Sequence, residues 1–309
     1  MADSLFFSGG ILSRCSRHGN TRDGRTRPLD DKAGRGEIPM GGPENSPGRP
    51  FPLTDAAIAS KASRKRPARG LMRALPRAAP GSSRNPPTSR TSAMNRQSLL
   101  MNMFQAMLDH LGPSRWWPGE TPFEVAVGAV LTQNASWTNV EQAIANLKSA
   151  GVFAPKAMFD LPEARLAELI RPSGYFRLKA GRLRNLLGFL KTECGFDITA
   201  LAGRDLPATR EKFLSVRGIG PETADSILLY ALGYPTFVVD AYTRRLLARH
   251  GLVPEECGYE EMRDFFMDVL DPDPRLYNEY HALIVRTGKS WCKKSDGRCG
   301  ECPLAPFLT

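Results

Sequence analysis

From residue 94 onward, apolar residues recur every three or four positions, as they do along the buried face of an α-helix. Leu99, Met103 and Met107 form one such stripe within residues 98–111, and 123–131 is a nearly continuous apolar run of helical length. Further helices are predicted at approximately 207–216, 222–232, 241–250, 259–270 and 274–288. Because the sequence has only one short β-like run, at 236–239, the pattern predicts an all-α protein.

Residues that favour helix ends divide the middle of the chain. Thr138 and Glu141 have the spacing of a capping box and predict a helix that starts there and ends at Gly151. Asp160 predicts the start of a second helix, and a leucine stripe beyond residue 183 predicts a longer one that ends at Gly195. No segment repeats with a fixed period.

The formal net charge of +10 is confined to the N-terminal part of the 309 residues. Residues 1–93 hold 17 basic and 7 acidic side chains with 11 Gly and 11 Pro, whereas residues 94–309 hold 25 of each charge. Such a segment buries too little apolar surface to offset its chain entropy, so we expect 1–93 to be a disordered basic tail. Since Met94 opens the first clear helical pattern, a translation start there, which would leave 1–93 unmade, is the alternative.

Composition excludes several classes of protein. No apolar run approaches the roughly 18–20 residues that a membrane-spanning helix requires. The six cysteines are too few for a disulfide scaffold of this size, and three of them lie close to the C-terminus, which favours a reducing compartment and a metal site. We therefore expect a cytoplasmic monomer with no membrane segment.

Two predicted helices are joined by Gly218, Ile219 and Gly220, with Pro221 at the first position of the second helix. Glycine permits positive φ and leaves the backbone uncovered, so its N–H groups can approach a phosphate closely. A helix N-terminus favours an anion through its unpaired N–H groups and its dipole. The segment is either an ordinary helical turn or a contact for the backbone of a nucleic acid. In the second case its N–H groups bind the phosphates, so few lysines are needed.

Asp240 ends the apolar run Val238–Val239 and precedes a predicted helix. The ordinary role of aspartate at such a position is that of an N-cap. A carboxylate held there can also stabilise a developing sugar cation and orient a water molecule.

Taken together, Gly218–Gly220 and Val239–Asp240 resemble the helix–hairpin–helix and aspartate signature of the endonuclease III superfamily of base excision DNA glycosylases. Residues 131–140 resemble the early helix and turn with which that superfamily faces DNA. The resemblance covers residues 94–309 and implies a two-lobed, all-α helix–hairpin–helix glycosylase fold with a cysteine-bearing C-terminal loop. It also implies double-stranded DNA with a damaged base as the partner, and hence association with the nucleoid.

One position departs from the superfamily pattern. Strand-cleaving members carry a Schiff-base lysine two residues after the second glycine of the hairpin, and this chain has Glu222 there. A carboxylate cannot form an imine with the sugar, so we expect no lyase step. The resemblance makes Asp240 and Glu222 the expected catalytic residues, although Glu222 also fits a first-turn acid that complements the helix dipole.

Trp116, Trp117, Phe123 and Glu222 make the chain most similar to the 3-methyladenine DNA glycosylase III subgroup, which removes alkylated purines without cutting the strand. Electron-rich rings bind a cationic alkylated purine better than its neutral parent. Trp116, Trp117, Phe123 and Trp137 are therefore expected to wall the base pocket, with packing in the core as the alternative.

DNA contacts are expected from the hairpin and from the turn after residue 131. The damaged nucleotide must leave the duplex, and the resemblance aligns Asn134 with the residue that fills the gap, beside Gln133. The expected DNA-binding residues are Gly218, Ile219, Gly220, Gln133 and Asn134.

Cys292, Cys299 and Cys302 match the first three ligands of the superfamily's four-cysteine iron–sulfur loop, but the fourth position is Leu308. We favour a retained, labile and purely structural [4Fe–4S] cluster. A clusterless loop, a non-cysteine fourth ligand, and zinc completed by His281 are the alternatives. Lys293, Lys294 and Arg298 in the same loop are candidate phosphate contacts.

The expected organisation has a helix at 94–119 that packs on the C-terminal lobe, a helical domain with the hairpin at 120–232, and the C-terminal lobe with the cysteine loop at 233–309. The expected function is hydrolysis of the glycosidic bond of a damaged base, an alkylated purine, without strand cleavage. Two alternatives stay open: an endonuclease III-like glycosylase and lyase for oxidised pyrimidines, and a DNA-binding homologue without catalysis.

Overall fold

The structure is a computed structural model that describes residues 89–114, 116 and 119–308, with side chains from Asn95 onward. The predicted tail, 1–93, lies outside the described residues except for the backbone of 89–93. Within the described part, the chain forms helices and no strand, which confirms the predicted all-α class. The β-like run 236–239 is an extended connection that pairs with no other strand there.

The α-helices are α1 (Ser89–Leu111), α2 (Pro122–Leu131), α3 (Trp137–Ser149), α4 (Pro155–Asp160), α5 (Glu163–Leu169), α6 (Phe176–Cys194), α7 (Leu206–Ser215), α8 (Pro221–Ser226), α9 (Ala241–Arg249), α10 (Tyr259–Met267) and α11 (Pro274–Ser290). A π-helical segment, Ile227–Ala231, continues α8. Short 3-10 turns occur at Arg171–Ser173, Ile198–Leu201, Cys299–Glu301 and Ala305–Phe307.

The predicted starts of two helices were wrong. Ser136, rather than Thr138, caps α3, because its extended backbone lets its side chain accept a hydrogen bond from the N–H of Asn139. Asp160 is the last residue of α4 and does not begin α5. Pro162, which has no N–H to donate, separates these two helices.

Buried apolar side chains form two clusters. The hairpin lobe is the cluster built from α2 to α8 and the π-helical segment, residues 123–234. The terminal lobe is the cluster that joins α1 to residues 237–304, with α1 packed on α11. Val125 of α2 and Leu229 of the π-helical segment face the terminal lobe, so these two elements belong to both cores. None of the described helices is both long and apolar enough to cross a bilayer.

A buried lysine ties the end of α2 to the start of α6. Lys179 is 1% exposed, and its ammonium donates hydrogen bonds to the carbonyl oxygens of Leu131 at 2.7 Å and Ser173 at 2.6 Å. Burial, with a smaller contribution from Arg182, lowers the pKa of Lys179 to about 8. Carbonyls at the ends of helices lack intrahelical partners, so this ammonium satisfies them and fixes the turn that follows Leu131.

Candidate active site

A cleft of about 1490 Å³ is lined by residues of both lobes. This volume exceeds the roughly 300–1,000 Å³ of typical small-molecule pockets, so the cleft suits a polymer better than a metabolite. The predicted residues that line it are Asp240, Glu222, Gln133, Asn134, Gly218, Ile219 and Gly220.

Asp240 is the N-cap of α9, and the bonds that cap the helix also fix its carboxylate. Oδ1 accepts hydrogen bonds from the backbone N–H of Thr243 at 2.8 Å and from the Thr243 hydroxyl at 3.0 Å. The residue is only 3% exposed although it lines the cleft. The carboxylate of Asp240 therefore caps α9 and lines the cleft in the same conformation.

A histidine from another element approaches this carboxylate, and a tyrosine contacts that histidine in turn. The Nε2 atom of His281, on α11, lies 3.6 Å from Asp240 Oδ2. The Nδ1 atom of the same ring lies 2.6 Å from the hydroxyl of Tyr230, on the π-helical segment. All three residues are buried.

These neighbours set the charge of Asp240. Burial alone would raise the pKa of Asp240, but the His281 imidazole and the two hydrogen bonds from Thr243 outweigh burial and hold that pKa below its usual value. Asp240 is therefore a carboxylate at neutral pH.

Glu222, in the first turn of α8, has the opposite environment. Its buried Oε1 accepts no hydrogen bond from any described protein group. Burial, reinforced by the charge of Asp240 and opposed by Arg244, raises the pKa of Glu222 well above its usual value. The two carboxyl groups of the cleft therefore have pKa values shifted in opposite directions: Asp240 favours the carboxylate, and Glu222 favours the neutral acid.

The hairpin follows the prediction in its backbone but not in every side chain. Gly218 has φ +95°, and a Cβ atom there would lie 2.5 Å from Cγ of Arg182, so the position requires glycine on both counts. Ile219 is buried in the core of the hairpin lobe, which leaves its backbone as the part that can contact DNA. Gly220 is exposed and precedes α8 directly.

Gln133, predicted to contact DNA, lines the cleft and is bonded to the hairpin. Its Nε2 donates to the carbonyl of Gly218 at 3.2 Å and to the hydroxyl of Thr223 at 2.9 Å, and its Oε1 accepts from Arg182. Both ends of the amide are therefore used to hold the turn after α2 against the hairpin. Asn134, the next residue, is exposed with φ +54° and stands at the tip of that turn.

The aromatic candidates are distributed over several environments. Trp116 packs edge-on against Tyr230, with ring centroids 4.8 Å apart, and so lies next to the residues around Asp240. Trp117 lies outside the described residues. Phe123 is buried against Phe153, and Trp137 packs on the core of the hairpin lobe. The predicted pocket role of Phe123 and Trp137 therefore gains no support from their described contacts.

Basic side chains of the terminal lobe line one side of the cleft, although residues 94–309 are neutral as a whole. Lys293 and Lys294 are exposed there. Arg298, the third phosphate candidate of the loop, instead donates to Glu301 and to the carbonyl of Ser290.

The three cysteines of the C-terminal loop line one small apolar void with Arg249, His250 and Leu308. The void measures about 10 Å³, which is close to the space of a single water molecule. Among the described residues, no three His, Cys, Asp or Glu side chains are grouped so that they would hold a metal ion. In this arrangement the residues do not fit a four-iron cluster.

His281, considered as a zinc ligand with these cysteines, is instead the neighbour of Asp240. His281 does not line the void that the three cysteines share, so the alternative of zinc completed by His281 gains no support from the structure. The histidine that lines the cysteine void is His250, at the end of α9.

Tyr230 and Arg182 were not singled out from the sequence, and His281 was singled out only as an alternative zinc ligand. Each acts through a partner from a distant part of the chain, so no local spacing marks it. The π-helical segment that carries Tyr230 is a feature often found at functional sites, but it is not visible in the apolar pattern.

Comparison with known proteins is consistent with this geometry. A family described as "HhH-GPD superfamily base excision DNA repair protein" matches residues 127–272. A Methanocaldococcus jannaschii protein, provisionally named a DNA repair glycosylase, is 44% identical over 214 residues, which is 69% of this chain and 97% of that protein.

Solved structures show the same relationship. The crystal structure of the Helicobacter pylori 3-methyladenine DNA glycosylase bound to 1,N6-ethenoadenine is 30% identical with a TM-score of 0.54, over 63% of this chain and 97% of that one. A non-covalent endonuclease III–DNA complex is 20% identical with a TM-score of 0.59, over 69% and 94% of the two chains, and shows similarity of fold.

Proposed function

Because the chain belongs to the HhH-GPD superfamily of base excision DNA repair proteins, and within it to the endonuclease III-like DNA glycosylases, we propose that it is a monofunctional glycosylase that releases alkylated purines from double-stranded DNA. The observation that carries the proposal is the pair of groups in the cleft. An ionised Asp240 stands beside Glu222, at the position where a strand-cleaving relative would need a lysine.

In this proposal the DNA duplex follows the cleft between the lobes. The glycosidic bond is inaccessible in stacked DNA, so the damaged nucleotide must be extruded at a cost of a few kcal/mol. Asn134 at the exposed tip of its turn fills the gap. The backbone around Gly220 and the side chains of Lys293 and Lys294 contact phosphates on the two sides of the cleft.

Asp240 performs the chemical step. As the bond between the sugar and the base breaks, positive charge develops on the sugar, and a buried carboxylate stabilises that charge more strongly than water does. The same carboxylate orients the water molecule that attacks the sugar. The products are a free base and an abasic site.

Glu222 decides how the reaction ends. A lyase needs an amine that attacks the sugar carbon and forms an imine, and a carboxyl group cannot do this. Its raised pKa favours the neutral acid, so Glu222 adds less negative charge beside Asp240 than an ordinary glutamate would. The strand is therefore expected to stay intact until the abasic site is processed.

The substrate assignment rests on the aromatic surroundings and on similarity. Trp116 packs at Tyr230 beside the Asp240 site, and aromatic faces favour a cationic alkylated base over its neutral parent. The similar Helicobacter pylori protein is by name a 3-methyladenine glycosylase.

The test uses the full-length protein and two duplexes, one methylated and one containing an oxidised thymine. Released bases are separated by chromatography, strand breaks are scored before and after alkali, and borohydride is added to trap any imine. We expect release of 3-methyladenine, breaks only after alkali, and no trapped complex. Asp240→Asn keeps a side chain that can cap α9, and we expect it to lower base release about 100-fold or more with DNA binding retained.

Two results would replace the proposal. Release of the oxidised thymine with breaks before alkali and a trapped complex would establish the endonuclease III-like alternative, with another lysine of the cleft as nucleophile. Binding of both duplexes without release of either base would establish the non-catalytic alternative.

A further inference from the structure

A chain of three buried side chains begins at Tyr230, in the core of the terminal lobe, and ends at the carboxylate of Asp240. The Tyr230 hydroxyl lies 2.6 Å from His281 Nδ1, and His281 Nε2 lies 3.6 Å from Asp240 Oδ2. The three residues are 7%, 2% and 3% exposed, in the same order. They come from the π-helical segment, α11 and the N-cap of α9, so three separate elements converge on one carboxylate.

The contact between Tyr230 and His281 fixes the position of a proton. Burial, with the nearby charges of Asp240 and Glu222, raises the pKa of Tyr230 well above its usual value, so the phenol keeps its proton. A protonated phenol can donate to Nδ1, and an imidazole that accepts at Nδ1 carries its own proton at Nε2, the atom that faces the Asp240 carboxylate, which can only accept. The N–H at Nε2 then faces Asp240.

The two oxygens of Asp240 are thereby divided between two tasks. Thr243 donates both of its hydrogen bonds to Oδ1. Oδ2 is the oxygen on the His281 side. The distance between His281 Nε2 and Asp240 Oδ2, 3.6 Å, is slightly longer than a hydrogen bond. Nε2 has no other hydrogen-bond partner among the described protein groups, so it is able to move closer to Oδ2.

We propose that His281 is a positioning residue of the glycosylase reaction: held in one tautomer by Tyr230, it keeps Asp240 ionised and keeps Oδ2 oriented toward the developing sugar cation. The inference rests on the proposed function for its catalytic meaning. The contact between His281 and Asp240 itself can be tested without catalysis.

The groups that face Asp240 determine the sign of the effect. His281 on α11 favours the ionised form of Asp240. Glu222 on α8 and Tyr230 on the π-helical segment do not, because they are acids whose own pKa values are raised by the charge of Asp240. Arg244, on the helix that Asp240 caps, acts on Glu222. Without His281, burial would dominate, and Asp240 would take up a proton at higher pH.

The experiment compares wild type with His281→Leu, His281→Gln and Tyr230→Phe in single-turnover release of 3-methyladenine across pH. His281→Leu is expected to move the acidic limb of the rate profile to higher pH and to lower the rate at neutral pH about tenfold or more, with DNA affinity unchanged. His281→Gln places an amide N–H near the position of Nε2 and is expected to recover part of the rate. The rate of Tyr230→Phe is expected to lie between the rates of His281→Leu and His281→Gln.

His110→Leu is the matched control, because it removes an exposed imidazole from α1. It is expected to leave the profile unchanged. An acidic limb that stays in place in His281→Leu, or a glutamine variant no better than leucine, would reduce His281 to a packing residue and overturn the proposal. If His281→Leu does not fold, the glutamine and phenylalanine variants decide the outcome by the same criteria.

A second readout separates this inference from the proposed function. Asp240 has a lowered pKa in the folded state, so the stability it contributes is present above its ordinary pKa near 3.8 and is lost as pH falls through the lowered value. Between pH 4 and 8 the contribution of Asp240 to wild-type stability is constant, whereas in His281→Leu the folded state holds the Asp240 proton more tightly than the unfolded state. Urea unfolding over this range is therefore expected to show the stability of His281→Leu falling relative to wild type as pH rises from 4, and no such trend in an Asp240→Asn background. If wild type releases no base, the proposed function fails, while this cycle still confirms or overturns the pairing of His281 with Asp240.

Discussion

At the scale of single residues, the proposed active site contains two carboxyl groups in contrasting surroundings. Asp240 accepts hydrogen bonds from Thr243 and faces His281, so its negative charge is compensated. Glu222 is partly buried near Asp240, and its buried Oε1 has no hydrogen-bond donor among the described protein groups, so its own negative charge is disfavoured. Because the two side chains carry the same functional group, the difference between their pKa shifts comes from the residues that surround each carboxyl group.

The raised pKa of Glu222 predicts a pH-dependent cost of folding. Between its ordinary value of 4.5 and its raised value, the folded state holds the proton more tightly than the unfolded state, so wild-type stability falls as pH rises. Glu222→Gln has no proton to lose there. Its stability relative to wild type is therefore expected to increase from pH 5 to pH 8, by about 1.4 kcal/mol for each unit of pKa shift within that range.

Urea unfolding at several pH values measures this difference. Glu211→Gln changes an exposed glutamate on α7 and is the control, with a difference from wild type that stays constant with pH. A Glu222→Gln difference that is equally constant, or that decreases with pH, would show that Glu222 is an ordinary ionised acid in the folded protein.

At the scale of elements, the close approach of α9 and α11 places Asp240 next to His281. Gly288 makes this approach possible: a Cβ atom there would lie 2.3 Å from Cδ1 of Tyr242. The Tyr242 ring, which lines the cleft, is also covered by the guanidinium of Arg245 at 5.0 Å from its centroid. The absence of a side chain at Gly288 on α11 therefore makes room for an aromatic ring of α9 two residues from Asp240.

Substitution of Gly288 tests this contact. Gly288→Ala is expected to displace Tyr242 or separate the two helices, and to lower the free energy of unfolding by about 1–3 kcal/mol. Gly188→Ala is the matched control, because Gly188 lies inside α6 and a Cβ atom there would have no neighbouring atom within 4 Å, so alanine is expected to stabilise by up to about 1 kcal/mol. Chemical denaturation measures both, and equal effects of the two changes would refute the packing explanation.

At the scale of the whole molecule, a buried ionic network joins the two lobes. Asp225 of α8 is fully buried and accepts hydrogen bonds from Arg210 of α7 at 2.9 and 3.0 Å. It also accepts from Tyr259 of α10 at 2.9 Å and from Thr236 at 2.8 Å, both beyond the hairpin lobe. The segment that leads to Asp240 is thereby attached to the helix that follows the hairpin.

Removing the charge of Asp225 is expected to loosen this junction. Asp225→Asn leaves the nearby guanidinium of Arg210 without its buried counter-charge, and we expect a loss of about 3–5 kcal/mol of stability. Asp264→Asn, which removes a largely exposed carboxylate 3.3 Å from Arg263, is the control and is expected to cost about 1 kcal/mol or less. Thermal and urea unfolding compare the two, and a similar small loss in both would mean that the network does not hold the lobes together.

The sequence by itself determined the features that depend on neighbours along the chain. The helical periodicity, the glycines of the hairpin and Asp240 as an N-cap all follow from interactions over three or four residues, which leave a regular pattern. The start of α3 and the break between α4 and α5 were missed because several nearby residues compete for the same cap, and small differences in backbone conformation decide between them.

Only the tertiary structure decided which distant side chains meet. His281 faces Asp240 and does not line the void of the cysteines, Gln133 is bonded to the hairpin, and the three cysteines share a void too small for a cluster. These outcomes depend on how helices far apart in sequence pack, and packing is set by the summed fit of whole faces rather than by any short pattern. The sequence could therefore single out Asp240 as the candidate carboxylate, while the neighbours that affect its charge became visible only when α8, α9, α11 and the π-helical segment were brought together.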